Sequence, residues 1–128
     1  MADLPPPALR NVAVLGASPK PWRYAHKAMT LLREYGYPVL PVHPIHRQID
    51  DHPVHPTLAH ITQPIDTLTL YVGAQRLGAV IEDIVRARPG RVLFNPGTEN
   101  TVLEKRLLCA DIPFVHGCTL VMLRTGTF

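Results

Sequence analysis

The residues best placed to do chemistry gather at four points along the chain, each just after a short apolar run. The first is Val12-Ala13-Val14-Leu15 followed by Gly16-Ala17-Ser18-Pro19-Lys20, with Arg23 close behind. An apolar run, a small-residue turn and a following helix bring backbone N–H groups and a helix dipole to one spot, which suits a phosphate. Gly16 supplies positive φ and close backbone approach. Ser18 offers a hydroxyl and an amide to a pyrophosphate, and Lys20 and Arg23 offer charge to its oxygens. The second point is His43-Pro44, with His46 and Arg47 after it. The third is Val72-Gly73, where Val72 is suited to line an adenine pocket, Gly73 permits close approach and Arg76 reaches toward phosphates. The fourth is the tight turn Asn95-Pro96-Gly97.

These points discriminate between nucleotides. A dinucleotide fingerprint asks for three spaced glycines and an acidic residue at the end of the second strand, where it holds the ribose hydroxyls. Only Gly16 fills a glycine slot, and the second apolar run ends Pro41-Val42-His43-Pro44 without a carboxylate. Protonatable and basic side chains there tolerate an extra phosphate on the adenosine ribose. NAD is disfavoured, and NADP and coenzyme A remain.

Two other constellations are weaker. His43, His46, His52 and His55 resemble a zinc cluster, but their spacing is irregular, prolines stiffen the segment and no cysteine is near, so no structural metal is expected. Cys118 follows the last apolar run with His116 two residues earlier. A thiol there is a candidate for disulfide exchange, and inward packing with Ile112 and Leu120 is the expectation. Trp22 and Tyr24 read as packing residues. No nucleophile elbow, Walker glycine-lysine pair or paired-carboxylate spacing occurs, so no catalytic residue is assigned.

The elements that must position these residues alternate. Strands are predicted over 11–15, 39–42, 67–72, 91–94 and 112–115. Helices are predicted over 22–35, with Ala25, Ala28, Met29 and Leu32 inward and Gly36 ending it, over 74–88, with Leu77, Val80, Ile81, Ile84 and Val85 inward, and over 98–109, opened by Thr98. Residues 43–56 read as loop, residues 57–61 as one helical turn, and the apolar tail after Cys118 as helix or strand, buried in the core or in a subunit contact of a homodimer. Alternating strands and helices predict an α/β, Rossmann-like fold with about five parallel strands and helices on both faces. All the chemistry-bearing loops then meet at the C-terminal edge of the sheet. Residues 1–10 read as a proline-rich arm and residues 11–128 as one domain.

Composition narrows the partners. The chain has 128 residues and a net charge of +3, too modest an excess for a nucleic-acid stripe. It has no apolar run of membrane-spanning length. The N-terminus lacks a signal-peptide pattern, and Cys109 and Cys118 without metal spacing fit free thiols in a cytoplasmic protein.

The motifs taken in order resemble the small single-domain CoA-binding proteins, which are similar to the N-terminal CoA-binding domain of the succinyl-CoA synthetase α subunit. The resemblance covers about residues 10–124. Its marks are Val14-Leu15-Gly16-Ala17-Ser18-Pro19, Tyr35-Gly36-Tyr37-Pro38-Val39-Leu40-Pro41-Val42-His43-Pro44, His55-Pro56-Thr57-Leu58, Asn95-Pro96-Gly97-Thr98-Glu99-Asn100 and Gly117-Cys118-Thr119-Leu120. The family usually has Asn in place of His43, Gln in place of Asn95, and a glycine near Asp50-Asp51. The resemblance implies a Rossmann-like fold that holds coenzyme A or an acyl-CoA through four loops, with the Asn95-Pro96-Gly97 amides meeting the pantetheine arm. It implies a small-molecule binding protein without chemistry of its own. An NADP-dependent or thiol-redox enzyme, and an interaction module with a vestigial cleft, are the alternatives.

Overall fold

The computed structural model describes residues 4–128. Its framework is a five-stranded sheet built from β1 (Val12–Leu15), β2 (Val39–Val42), β5 (Thr67–Leu70), β6 (Arg91–Phe94) and β7 (Phe114–His116). The order is β2-β1-β5-β6-β7 and every pairing is parallel. This is the α/β, Rossmann-like arrangement expected from the alternation of elements.

The central strands β1 and β5 are buried on both faces; β1 is all apolar, as burial on both faces favours, and β5 alternates Leu68 and Leu70 with the buried Thr67 and Thr69, whose hydroxyls are bonded to other side chains. Val12 and Val14 face α1 (Tyr24–Glu34) and α5 (Thr119–Arg124), where Ala25, Met29, Leu32 and Leu123 meet them. Ala13 and Leu15 face the opposite layer of α2 (Ala74–Leu77), α3 (Ile81–Ala87) and α4 (Thr101–Cys109), packing in one cluster with Leu77, Ile84, Leu103 and Leu107. The buried stripe of α1 is Ala25, Ala28, Met29 and Leu32, as its spacing predicts, and Gly36 follows the helix with φ of 90°.

Four elements depart from the sequence reading. The long second helix is broken into α2, a 3₁₀ turn at Gly78–Val80 and α3, because glycine is a weak helix former and Val80 leaves helical geometry with φ of −118°. The stretch read as loop contains a hairpin of β3 (Gln48–Ile49) and β4 (His52–Pro53). Asp50 and Asp51 turn it with φ of 51° and 62°, filling the left-handed conformations for which glycine is the usual residue. Asn100 caps α4 by accepting from the Leu103 amide, whereas Thr98 is buried and bonds the Asn95 carbonyl. Trp22 and Tyr24, read as packing residues, are 68% and 69% exposed.

The last residue of the proline-rich arm is part of the packed structure. Arg10 is buried, and its guanidinium bonds Asp66, the Tyr37 hydroxyl and the Phe128 carbonyl. Residues 1–3 of the arm lie outside the described residues.

Candidate functional site

The direction of the crossovers reverses between β1 and β5, which are neighbours in the sheet. From β1 the chain crosses through α1 on one face, and from β5 it crosses through α2 and α3 on the other. Loops leaving the two strands must therefore diverge, and a crevice opens between them. A cavity of about 640 Å³ occupies that place. Gly16, Ala17, Ser18, Lys20, Arg23, His43, Pro44, Val72, Gly73 and Arg76 all line it. The loops after β1, β2 and β5 thus bring together ten of the residues singled out from the sequence.

The turn after β1 works differently from the expected phosphate cradle. Gly16 has φ of 91°, and a Cβ there would stand 3.0 Å from the carbonyl carbon and oxygen of Tyr71 and 3.1 Å from Cγ2 of Val72. The glycine is needed to let the β1 and β5 loops touch. The Gly16 and Ala17 amides both donate to the Val42 carbonyl, at 3.1 and 3.2 Å, which ties the turn to β2. Those two donors are spent. The Ser18 hydroxyl accepts from the Lys20 amide at 3.1 Å, and among the described residues no main-chain partner takes the Ser18 amide.

Positive potential comes instead from side chains and from a helix end. Lys20, Arg23 and Arg76 line the cavity, and Asp83 is the one carboxylate among the lining residues. Tyr24 and Ala25, the first residues of α1, also line it, and the first turn of α1 carries no acidic residue. The positive end of the helix dipole therefore faces the cavity. Lys27 Nζ lies 5.4 Å from the centre of the exposed Tyr24 ring at the same rim.

His43 closes the β2 side. Its Nδ1 accepts from the amides of Ile45 at 3.1 Å and His46 at 3.3 Å, so a neutral ring carries its proton on Nε2. Burial, and secondly the neighbouring His46, hold the His43 pKa below the usual histidine value. The two rings lie 4.3 Å apart, and both residues line the cavity. The floor is apolar, formed by Leu15, Val42, Leu58 and Val80. The hairpin beyond His46 is held to α1 by His26 Nε2 against Asp50. Among the described residues no group of three His, Cys, Asp or Glu side chains converges as metal ligands would.

Asn95, Pro96 and Gly97 are not brought to this cavity. They follow β6, on the far side of β5 from the crevice. Asn95 is buried, and its carboxamide is fully used. Nδ2 donates to Thr69 Oγ1 at 2.6 Å and to the Leu70 carbonyl at 2.8 Å, while Oδ1 accepts from the Thr119 amide and hydroxyl, each at 2.9 Å. The Gly97 amide, expected to meet a ligand, donates to the Glu99 carboxylate at 2.8 Å. Pro96 and Gly97 are exposed. A single sequence does not distinguish an amide side chain that meets a ligand from one that ties strands together.

Sequence reasoning missed Tyr24, Thr57, Tyr71 and Asp83. Tyr71, within the strand predicted over 67–72, is half-buried in the cavity wall. Burial pushes its pKa up to about 12; the Thr119 hydroxyl opposes the rise, negative charge at Cys118 adds to it, and the Thr69 hydroxyl opposes it. Cys118 is half-exposed at the start of α5 rather than packed inward, and His116 is engaged with Glu104.

The family model described as "CoA binding domain" matches residues 10–124. The chain belongs to the CoA-binding domain family. Among solved structures, this CoA-binding domain resembles an uncharacterised protein at 36% identity and a TM-score of 0.82, covering 93% of this chain and 98% of that one. A Thermus thermophilus protein matches at 31% identity and a TM-score of 0.86, covering 93% and 90%. The dinucleotide-forming acetyl-coenzyme A synthetase 1 of Ca. Korarchaeum cryptofilum shares the fold at 20% identity and a TM-score of 0.70, over 82% of this chain and 25% of that one. No curated protein matches the sequence. No helix among the described residues is long and apolar enough to cross a membrane.

Proposed function

We propose that this CoA-binding domain holds coenzyme A or an acyl-CoA in the cavity at the β1/β5 crevice, as a binding protein without chemistry of its own. The observation that carries the reading is the charge of that cavity. Lys20, Arg23 and Arg76 line it against the one carboxylate of Asp83, with the N-terminus of α1 alongside. Coenzyme A presents a pyrophosphate and a ribose phosphate, and this is a site for such an anion. A volume of about 640 Å³ suits a ligand of this class.

In this reading the pyrophosphate lies against Lys20, Arg23 and the Ser18 amide. The adenosine lies between Val72 and the His43–His46 pair, with the Nε2–H of neutral His43 as a donor. The apolar floor at Leu58 and Val80 excludes water from one face of the base. The protein then presents or stores the cofactor in the cytoplasm.

Thermal unfolding with coenzyme A, acetyl-CoA, NAD, NADP and ATP tests the reading. A ligand at 100 times its dissociation constant adds about 2.7 kcal/mol, a shift of several degrees. Stabilisation by coenzyme A or acetyl-CoA above the others supports it. A response to NADP alone turns the assignment toward an NADP-dependent protein. No response to any of them points to an interaction module.

A further inference from the structure

A cavity suited to an anion has one carboxylate in its wall. Asp83 lies in the first turn of α3, lines the cavity at the crevice, and also lines a second cavity of about 470 Å³. Leu58 is the other residue that lines both. Asp83 and Leu58 thus stand where the two cavities meet, and Val80, three residues before Asp83, belongs to the same apolar floor. Among the described residues no ion pair or hydrogen bond takes the Asp83 carboxylate. The acidic side chains that are engaged are Asp50, Asp66, Glu82, Glu99 and Glu104. Glu34, Asp51 and Asp111 also lack a partner, but they are exposed, whereas Asp83 is half-buried. Complementing the α3 dipole does not require this place. Glu82, in the same turn, faces out and meets Arg106.

An ionised carboxylate accepts hydrogen bonds and donates none, and it repels phosphate. Beside Leu58 and Val80 it calls for an uncharged ligand group with an apolar face and an N–H at its edge. Adenine has that form. Its faces suit the two aliphatic side chains. With N9 joined to the ribose, its ring nitrogens only accept, and the 6-amino group is its sole donor. The ribose of coenzyme A carries a phosphate, which Asp83 disfavours at this point. We propose that Asp83 is a specificity-determining residue that accepts from the 6-amino group of the bound adenine. The proposal rests on the coenzyme A reading above and adds which edge of the base faces α3. Asp83 weakens the hold on the phosphates and in return selects the base.

Calorimetry with coenzyme A and an analogue whose adenine is replaced by purine tests this, since purine lacks the 6-amino group and keeps the ring. The proteins are the wild type, Asp83→Ala and Glu82→Ala. The wild type is expected to prefer adenine over purine by about 5- to 20-fold, in line with one charge-assisted hydrogen bond at a half-buried site. Asp83→Ala should lose that preference and bind the purine analogue more tightly than the wild type does, because a charge opposed to the phosphates is gone. Glu82→Ala removes a carboxylate from the same turn and should keep the preference. A structural role for Asp83 would change both ligands by the same factor. Equal preference in the wild type and Asp83→Ala, or no preference in the wild type, overturns the proposal even where coenzyme A binds well. Loss of preference in Glu82→Ala as well assigns the effect to the charge of the turn and also overturns it. Failure of the wild type to bind coenzyme A at all defeats the underlying reading instead. Alanine is a strong helix former, so α3 should persist in Asp83→Ala. Asp83→Leu, which also removes the acceptor, decides the point if that variant does not fold.

Discussion

Gly16 and Tyr71 stand so close that a side chain on the first would press on the backbone of the second, with a Cβ only 3.0 Å from the Tyr71 carbonyl. This contact joins the ends of β1 and β5 at the place where the crossovers part, and it shapes the inner wall of the cavity. Gly16→Val meets the backbone contact and also a φ of 91° that a branched residue resists. Stability should fall by about 2–4 kcal/mol in a urea titration. In protein that remains folded, affinity for coenzyme A should fall at least about tenfold. A variant that unfolds and binds like the wild type would show that the two strand ends do not need to meet.

The raised pKa of Tyr71 makes a statement about alkaline stability. An unfolded tyrosine titrates near pH 10, and burial lifts the folded value to about 12. The folded state keeps the phenolic proton longer, so the stabilisation is complete below about pH 10 and is lost as pH rises from there through about 12. The loss is about 3 kcal/mol at most. Denaturant titrations across this range should show stability falling in the wild type and a shallower fall in Tyr71→Phe. Identical slopes would mean that Tyr71 titrates as it does in the unfolded chain.

Asn95→Ala tests the buried carboxamide by stability alone. The change strips partners from the Leu70 carbonyl and the Thr119 amide in one step, and leaves both buried. The expected cost is about 2–4 kcal/mol. A cost under about 0.5 kcal/mol would mean that water replaces the carboxamide freely. It would remove the reason for an amide side chain at the end of β6.

The fold was legible because its signals are local. Four apolar residues ending in glycine, or in Pro41-Val42, read as buried parallel strands, and the Ala25, Ala28, Met29 and Leu32 spacing reads as one helix face. Three of the four chemistry-bearing loops were legible for the same reason, since every parallel strand must end at one edge. What stayed hidden depends on contacts distant in sequence. The β3–β4 hairpin has only two residues per strand and turns on aspartates rather than glycine, so no periodicity marks it. The commitment of the Gly16 and Ala17 amides to Val42 requires knowing that β2 lies beside β1. Asn95 was assigned to the ligand because an amide after a strand looks the same in either role. Only the positions of Leu70 and Thr119 show that its four hydrogen bonds are already filled.

The central claim, a coenzyme A site at the crevice between β1 and β5, is tested most directly by calorimetry with the wild type and a Lys20→Ala, Arg23→Ala double variant. Lys20 and Arg23 are exposed side chains lining the cavity, so their removal should leave the fold intact. The account predicts one coenzyme A bound per chain, and affinity at least about tenfold weaker in the double variant, with a smaller salt dependence. Affinity unchanged in the double variant, or NAD bound more tightly than coenzyme A by the wild type, would contradict it.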